Sequence, residues 1–182
     1  MAQLESSRGL HVTGASGSGT TTLARAVADA WAVPHADVDD YFWLPTDPPY
    51  LDKRPALDRV ALMEQMFLPR EGWVLFGSML GWGDDVVGRC DAVVVLTLDP
   101  AGRMRRIEAR ERVRRERGPA DESALEEFLT WARGDDNPSF EGRSRAAHEE
   151  WLTTLTCPVP RLDSALTREE PRDTVLAWVP PA

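Results

Sequence analysis

Residues Leu10–Trp31 read LHVTGASGSGTTTLARAVADAW, and this stretch decides the fold class. Leu10 to Gly14 is a short β-prone run that ends in glycine. After Thr20 the apolar residues Leu23, Ala26, Val27, Ala30 and Trp31 recur at helical spacing. The segment is therefore predicted to be a strand, a glycine-rich turn and a helix. Backbone N–H groups reach an anion closely only where the chain lacks Cβ atoms, and a helix N-terminus adds free N–H groups and the positive end of the helix dipole. Gly14, Ala15, Ser16, Gly17, Ser18, Gly19, Thr20, Thr21 and Thr22 are accordingly the candidate phosphate-binding residues.

The spacing Gly14-x-x-x-x-Gly19 followed by Thr20-Thr21 satisfies the phosphate-loop pattern G-x-x-x-x-G-K-[ST] except at the lysine, where Thr20 stands. Thr21 then occupies the hydroxyl position that binds magnesium. Two other readings stay open. The turn also looks like those of dinucleotide-binding folds, and Asp37 or Asp39 lies about where a ribose-binding acid would. However, glycines at 14, 17 and 19 fit none of the usual dinucleotide spacings. It could also be merely a tight strand-to-helix turn. Lys53 is the only lysine in the chain, so any replacement for the missing charge must come from arginine.

Other features fit an α/β chain. "WVLFGS" (Trp73–Ser78) and "AVVVLTL" (Ala92–Leu98) are near-continuous apolar runs, as in strands buried on both faces of a parallel sheet. "PHADVDD" is predicted to be a short extended segment. Asp37 and Asp39 fall two apart at its end, hence on one side of the strand, at the sheet edge that the glycine loop also occupies. One of these carboxylates, Asp39, is a candidate to hold the metal, and the pair is suited to accept the proton of an attacking hydroxyl. "ALDRVALMEQMFL" is expected to form a helix with its apolar face on Leu57, Val60, Ala61, Met63 and Phe67. The proline-rich "WLPTDPPYLDKRP" before it is a shaped loop, and Trp43 and Trp82 are expected near a substrate. Further helices are expected from Asp99-Pro100 to about Gly118, over Asp121–Arg133, over Gly142–Leu155 and in "EEPRDTVLAWV", with a last strand in "CPVPRLDS".

Charge is distributed unevenly. Between Arg103 and Arg117 there are eight arginines against three glutamates, a local excess of +5 in a chain whose net charge is −9. Arg103, Arg106, Arg110, Arg114 and Arg117 share one helical face that could close over a triphosphate. Arg143, Arg145 and His148 form a second polar group. The negative total argues against a general nucleic-acid partner, which demands a basic surface. Cys90 and Cys157 form no C-x-x-C pair and suit a reducing compartment. No apolar run is long enough for a membrane span, so a cytoplasmic protein is expected.

Together these residues resemble the P-loop small-molecule kinases of the nucleoside-monophosphate-kinase and shikimate-kinase type. "GASGSGTTT" is similar to a threonine-bearing, adenylate-kinase-like subgroup. The resemblance implies a single three-layer domain over residues 1–182, with a five-stranded parallel sheet in the order 2-3-1-4-5, flanking helices and a helical lid over about 103–120. It also implies ATP and Mg2+ as cofactors and transfer of the γ-phosphoryl group to a small-molecule acceptor. Asp37 and Asp39 match the family's Asp-x-Asp, and Arg106 and Arg110 match its lid Arg-x-x-x-Arg, which makes these four the catalytic candidates. The third strand ends in Gly77-Ser78, where adenylate kinases carry Asp-Gly-x-Pro-Arg. A nucleotide-binding regulator without turnover is the alternative that the missing lysine leaves open.

Overall fold

A computed structural model describes residues 8–47, 49–116, 122–137, 140, 143–165, 167 and 169–178. The elements in chain order are β1 (Arg8–Gly14), α1 (Thr20–Trp31), β2 (His35–Asp37), α2 (Val38–Phe42), α3 (Ala56–Met66), β3 (Gly72–Phe76), α4 (Asp84–Val87), β4 (Ala92–Thr97), α5 (Pro100–Glu116), α6 (Glu122–Gly134), α7 (Arg145–Thr153), β5 (Arg161–Asp163) and α8 (Glu169–Ala177). The strands form one sheet in the order β2-β3-β1-β4-β5, and every pairing is parallel. This is the expected order. A dinucleotide-binding sheet would run 3-2-1-4-5, so the dinucleotide reading is set aside.

Alternation along the strands builds two cores, one on each face. Leu10, Val12, Val74, Phe76, Val94 and Leu96 pack against Leu23 and Val27 of α1 and Val175 of α8. Trp73, Leu75, Val93 and Val95 face the opposite way, onto Val38, Met63, Phe67, Val86 and Trp151. Both faces of β3 and β4 are covered, which explains why their sequences read as unbroken apolar runs. The strands are parallel and in register, so the carboxyl ends of β1, β2 and β3 open on one edge: Asp37 pairs with Phe76, and Val12 also pairs with Phe76.

Three expectations are corrected. The second strand stops at Asp37, and Asp39 belongs to α2. The cause is local: the Asp37 carboxylate accepts a hydrogen bond from the Asp39 N–H at 2.9 Å and caps a helix, so strand alternation does not relate the two side chains. Of the apolar face expected for α3, Val60, Met63 and, at the C-cap, Phe67 pack on the core together with Arg59, whereas Leu57 is 85% exposed and Ala61 is exposed. The helix predicted from Gly142 starts at Arg145, because the Ser144 hydroxyl accepts from the Ala147 N–H and makes Ser144 the cap. By contrast, α5 begins as expected, with Asp99 accepting from the Gly102 N–H at 2.8 Å. The lid residues 117–120 lie outside the described residues. Among the described residues no helix is long and apolar enough to cross a membrane.

Candidate functional site

The glycine loop runs from the end of β1 directly into α1. Gly19 is the N-cap residue, with φ 101°, and no side chain caps the helix. The N–H groups of Thr20, Thr21 and Thr22 therefore have no partner inside the helix and face outward at the positive end of its dipole. A Cβ placed on Gly19 would meet the Arg106 guanidinium in ordinary contact at 3.6 Å, so this arginine lies beside the helix start. Gly17 serves a different purpose. Its φ is +86°, and a Cβ there would lie 2.7 Å from the Arg103 carbonyl oxygen, so this glycine lets α5 press against the loop. Ser18 Oγ is buried beneath the loop without a partner. An open concave set of backbone donors at a helix start fits a phosphate group.

Two arginines of α5 hold the loop in shape. Arg103 is 1% exposed; its Nη1 donates to the Ser16 carbonyl at 3.0 Å, and its Nη2 donates to Asp136, with Asp135 at 3.7 Å. Arg106 donates from Nη1 to the Ser18 carbonyl and to Ser164 Oγ, each at 3.2 Å, and from Nη2 to the Ser164 carbonyl. Arg110 goes elsewhere. It pairs with Glu111 at 3.0 Å and lies 5.6 Å over the Phe128 ring, and none of its contacts with described residues reaches the loop.

Asp37 and Asp39 stand at the adjoining end of β2 and start of α2. Burial pushes the Asp37 carboxyl up to about 6. The Asp39 N–H opposes this, and the charges of Asp39 and Asp40 reinforce it. Asp39 is also raised, chiefly by desolvation, with the Arg143 charge acting the other way. Arg143 donates to Ser16 Oγ at 3.4 Å and lies 5.0 Å over the Trp131 ring. A cavity of about 80 Å³ separates the loop from the start of α7; Gly14, Ala15, Arg103, Arg143 and His148 are among its lining residues.

Beneath the loop, Thr13 Oγ1 and His148 Nε2 lie 3.1 Å apart, and the His148 ring packs on Trp151. Burial, helped by the Arg143 charge, brings His148 down to about 4. His11 is fully buried and also lowered to about 4, by burial. Its Nε2 donates to the Gly77 carbonyl at 3.0 Å, which fixes the tautomer and leaves Nδ1 without a partner.

The proline-rich loop folds back as a hairpin, in which Trp43 bridges Lys53 and the Arg54 N–H donates to the Phe42 carbonyl at 2.8 Å. The Phe42 ring lies 4.9 Å from Trp43 and 6.0 Å from Trp82. Arg59 lies across the Phe42 ring at 3.9 Å, and its Nε donates to the Arg54 carbonyl at 2.6 Å. Sequence reasoning missed Arg59. Its signal was a charge repeating at i, i+4, i+8 with Met63 and Phe67, inside an apolar stripe.

The chain is 35% identical over 176 residues to the uncharacterized protein YqaC of Bacillus subtilis (strain 168), and the match covers 94% of this chain and 97% of that protein. The chain belongs to the YqaC family. No family model matches it. Among solved structures, this YqaC-family chain is similar to a gluconokinase from Sinorhizobium meliloti 1021. The TM-score is 0.55 at 20% identity, covering 94% of this chain and 90% of the other. It is also similar to an uncharacterized protein from Eubacterium ventriosum ATCC 27560, with a TM-score of 0.52 at 11% identity, covering 93% and 96%. At such identities the likeness is one of fold. The YqaC-family chain has a P-loop kinase-like fold.

Proposed function

We propose that this chain transfers the γ-phosphoryl group of ATP, with Mg2+, to a small-molecule acceptor. One observation carries the reading: the open glycine loop at the uncapped start of α1 and the raised Asp37 carboxyl lie on the same edge of the parallel sheet. Phosphoryl transfer demands mainly positioning and charge neutralisation, and such an edge supplies both from rigid elements. The loop from Gly14 to Thr22 cradles the phosphates with its free N–H groups, while the Ser18 N–H closes the turn by donating to the Ala15 carbonyl at 3.0 Å. Thr21 Oγ1 and Asp39 are oxygen donors of the kind Mg2+ takes; the ion, when bound, neutralises phosphate charge.

Asp37 accepts the proton of the attacking hydroxyl, and a carboxyl raised to about 6 is matched to that task near neutral pH. The acceptor lies against Phe42, Trp43 and Trp82. The threonine-bearing loop and the Asp-x-Asp pair lead us to group the chain with adenylate-kinase-like enzymes.

The test is incubation of the purified chain with γ-labelled ATP and Mg2+ against a panel of nucleotides and hydroxyl metabolites. Acceptor-dependent transfer of the label is the expected result. ATP binding without transfer to any member of the panel would instead indicate a regulator, the reading that the neutral Thr20 favours.

A further inference from the structure

Thr20 leaves the phosphate loop without its usual point charge, so some other cation must face the terminal phosphates if the loop binds ATP. The chain offers few. Lys53, the only lysine, sits 5.8 Å over the Phe42 ring in the hairpin. Arg103 is neutralised by Asp135 and Asp136 and spends Nη1 on the Ser16 carbonyl. Arg106 uses both terminal nitrogens on Ser18 and Ser164, Arg110 is paired with Glu111, and Arg145 is paired with Asp136 at 2.7 Å.

Arg143 differs from these in combination. It is half-buried, it touches the loop through the Ser16 side chain and not through a carbonyl, and among the described residues it forms no ion pair; Arg106 likewise has none, but it is bound to the Ser18 and Ser164 carbonyls. Asp39 and Asp135 act on it only from beyond ion-pair distance, and burial holds its guanidinium below the ordinary arginine range. Its one hydrogen bond to a described residue, at 3.4 Å, is long, and its other contact is the face of the Trp131 ring at 5.0 Å, so its N–H groups are under-engaged for a charge removed from bulk water. It directly precedes the Ser144 cap of α7 and lines the same cavity as Gly14 and Ala15.

We propose that Arg143 supplies the positive charge that Thr20 omits, reaching the terminal phosphates of the nucleotide over the Ser16 side of the loop. This assignment rests on the ATP-binding reading above. It makes the site a split one: the backbone cradle comes from the β1–α1 turn and the charge from the start of α7. Arg103 and Arg106 are then positioning residues that keep the loop carbonyls turned away from the anion.

The test is a charge-relocation cycle read by calorimetric titration with ATP and Mg2+, using wild type, Arg143→Ala, Thr20→Lys and the double variant. A charged hydrogen bond of this kind corresponds to about ten- to a hundredfold in affinity. Arg143→Ala is expected to lose that factor for ATP and to change adenosine binding little, since adenosine carries no phosphate. Thr20→Lys is expected to restore most of the loss in the Arg143→Ala background and to add little to wild type. Arg143→Gln, which keeps a donor for Ser16 without the charge, must behave as Arg143→Ala does, and it serves in its place should the alanine variant unfold. Unchanged ATP affinity in both Arg143 variants overturns the assignment alone, as does an equal gain from Thr20→Lys with and without Arg143. A wild-type chain that binds no ATP overturns the ATP reading itself, and this assignment with it.

Discussion

Arg103 Nη1 lies 3.0 Å from the carbonyl oxygen of Ser16, so a residue of α5 holds the middle of the β1–α1 loop. The same guanidinium is held from behind by Asp135 and Asp136, just beyond α6. The loop is thus shaped by two segments distant in sequence, and its form does not rest on its own glycines alone.

Removing that guanidinium should therefore cost stability before it costs chemistry. Arg103→Met leaves Asp135 and Asp136 without their shared partner and the Ser16 carbonyl without its donor. Breaking a largely buried pair in this way costs about 3–5 kcal/mol, and Asp136, which is partly exposed and keeps its pair with Arg145, favours the lower end. Urea unfolding followed by circular dichroism gives the number. A loss below about 1 kcal/mol would mean that the network is slack.

Gly17→Ala tests the contact between the loop and α5. The new methyl would meet the Arg103 carbonyl at 2.7 Å, at a φ of +86° that alanine adopts only under strain. We expect about 1–3 kcal/mol of destabilisation, together with weaker nucleotide binding, from thermal melts with and without ATP. An alanine variant of wild-type stability and ATP affinity would contradict the close packing.

Asp37 gives a pH dependence with a definite sign. As the acceptor of a proton it must be ionised, so kcat/KM should fall about tenfold per pH unit below about 6. Asp37→Asn should lower kcat by about 10²–10⁴-fold. Stability moves the other way. The folded-state value, about 6, lies above the ordinary 3.8, so the native chain binds the extra proton between them, and that contribution is lost as pH rises through 6. The asparagine variant, which keeps a cap for α2, should then melt higher than wild type at pH 8. A kcat/KM profile flat down to pH 5 would remove Asp37 from this role.

Acid should, in contrast, destabilise the protein through His11. Its folded value, about 4, lies below the ordinary 6.5, so the unfolded chain takes up the proton first, and stability present above pH 6.5 is lost as pH falls toward 4. Replacing His11 with glutamine, which can still donate to the Gly77 carbonyl, should flatten that part of the stability curve. An unchanged curve would place the titration elsewhere.

Trp82→Ala addresses the acceptor side. Its ring packs on Phe42 at 6.0 Å, and aromatic contacts of this kind are worth about 0.5–1.5 kcal/mol. Steady-state kinetics should show the acceptor KM rising about two- to tenfold while the KM for ATP stays put. A rise confined to ATP would move the acceptor away from this wall.

Local patterns made much of this molecule legible in advance. Glycine spacing between a β-prone run and a helical stripe marked Gly14–Thr22, the doubly buried β3 and β4 showed as unbroken apolar runs, and Asp99-Pro100 marked the start of α5. These signals are short-range, set by backbone conformation and by which faces must leave water. Charge assignment was not legible in the same way. Arg106 and Arg110 look equivalent on a helical wheel, yet Arg106 meets Ser164 beyond β5 while Arg110 meets Glu111 on its own helix. Asp37 and Asp39 look like strand neighbours, yet the Asp37 carboxylate starts a helix. Arg59 hides in an apolar face, and Arg143 reaches Ser16 across 127 positions. An arginine's partner depends on which elements the sheet order brings together at its carboxyl edge, and a linear pattern carries no record of that neighbour.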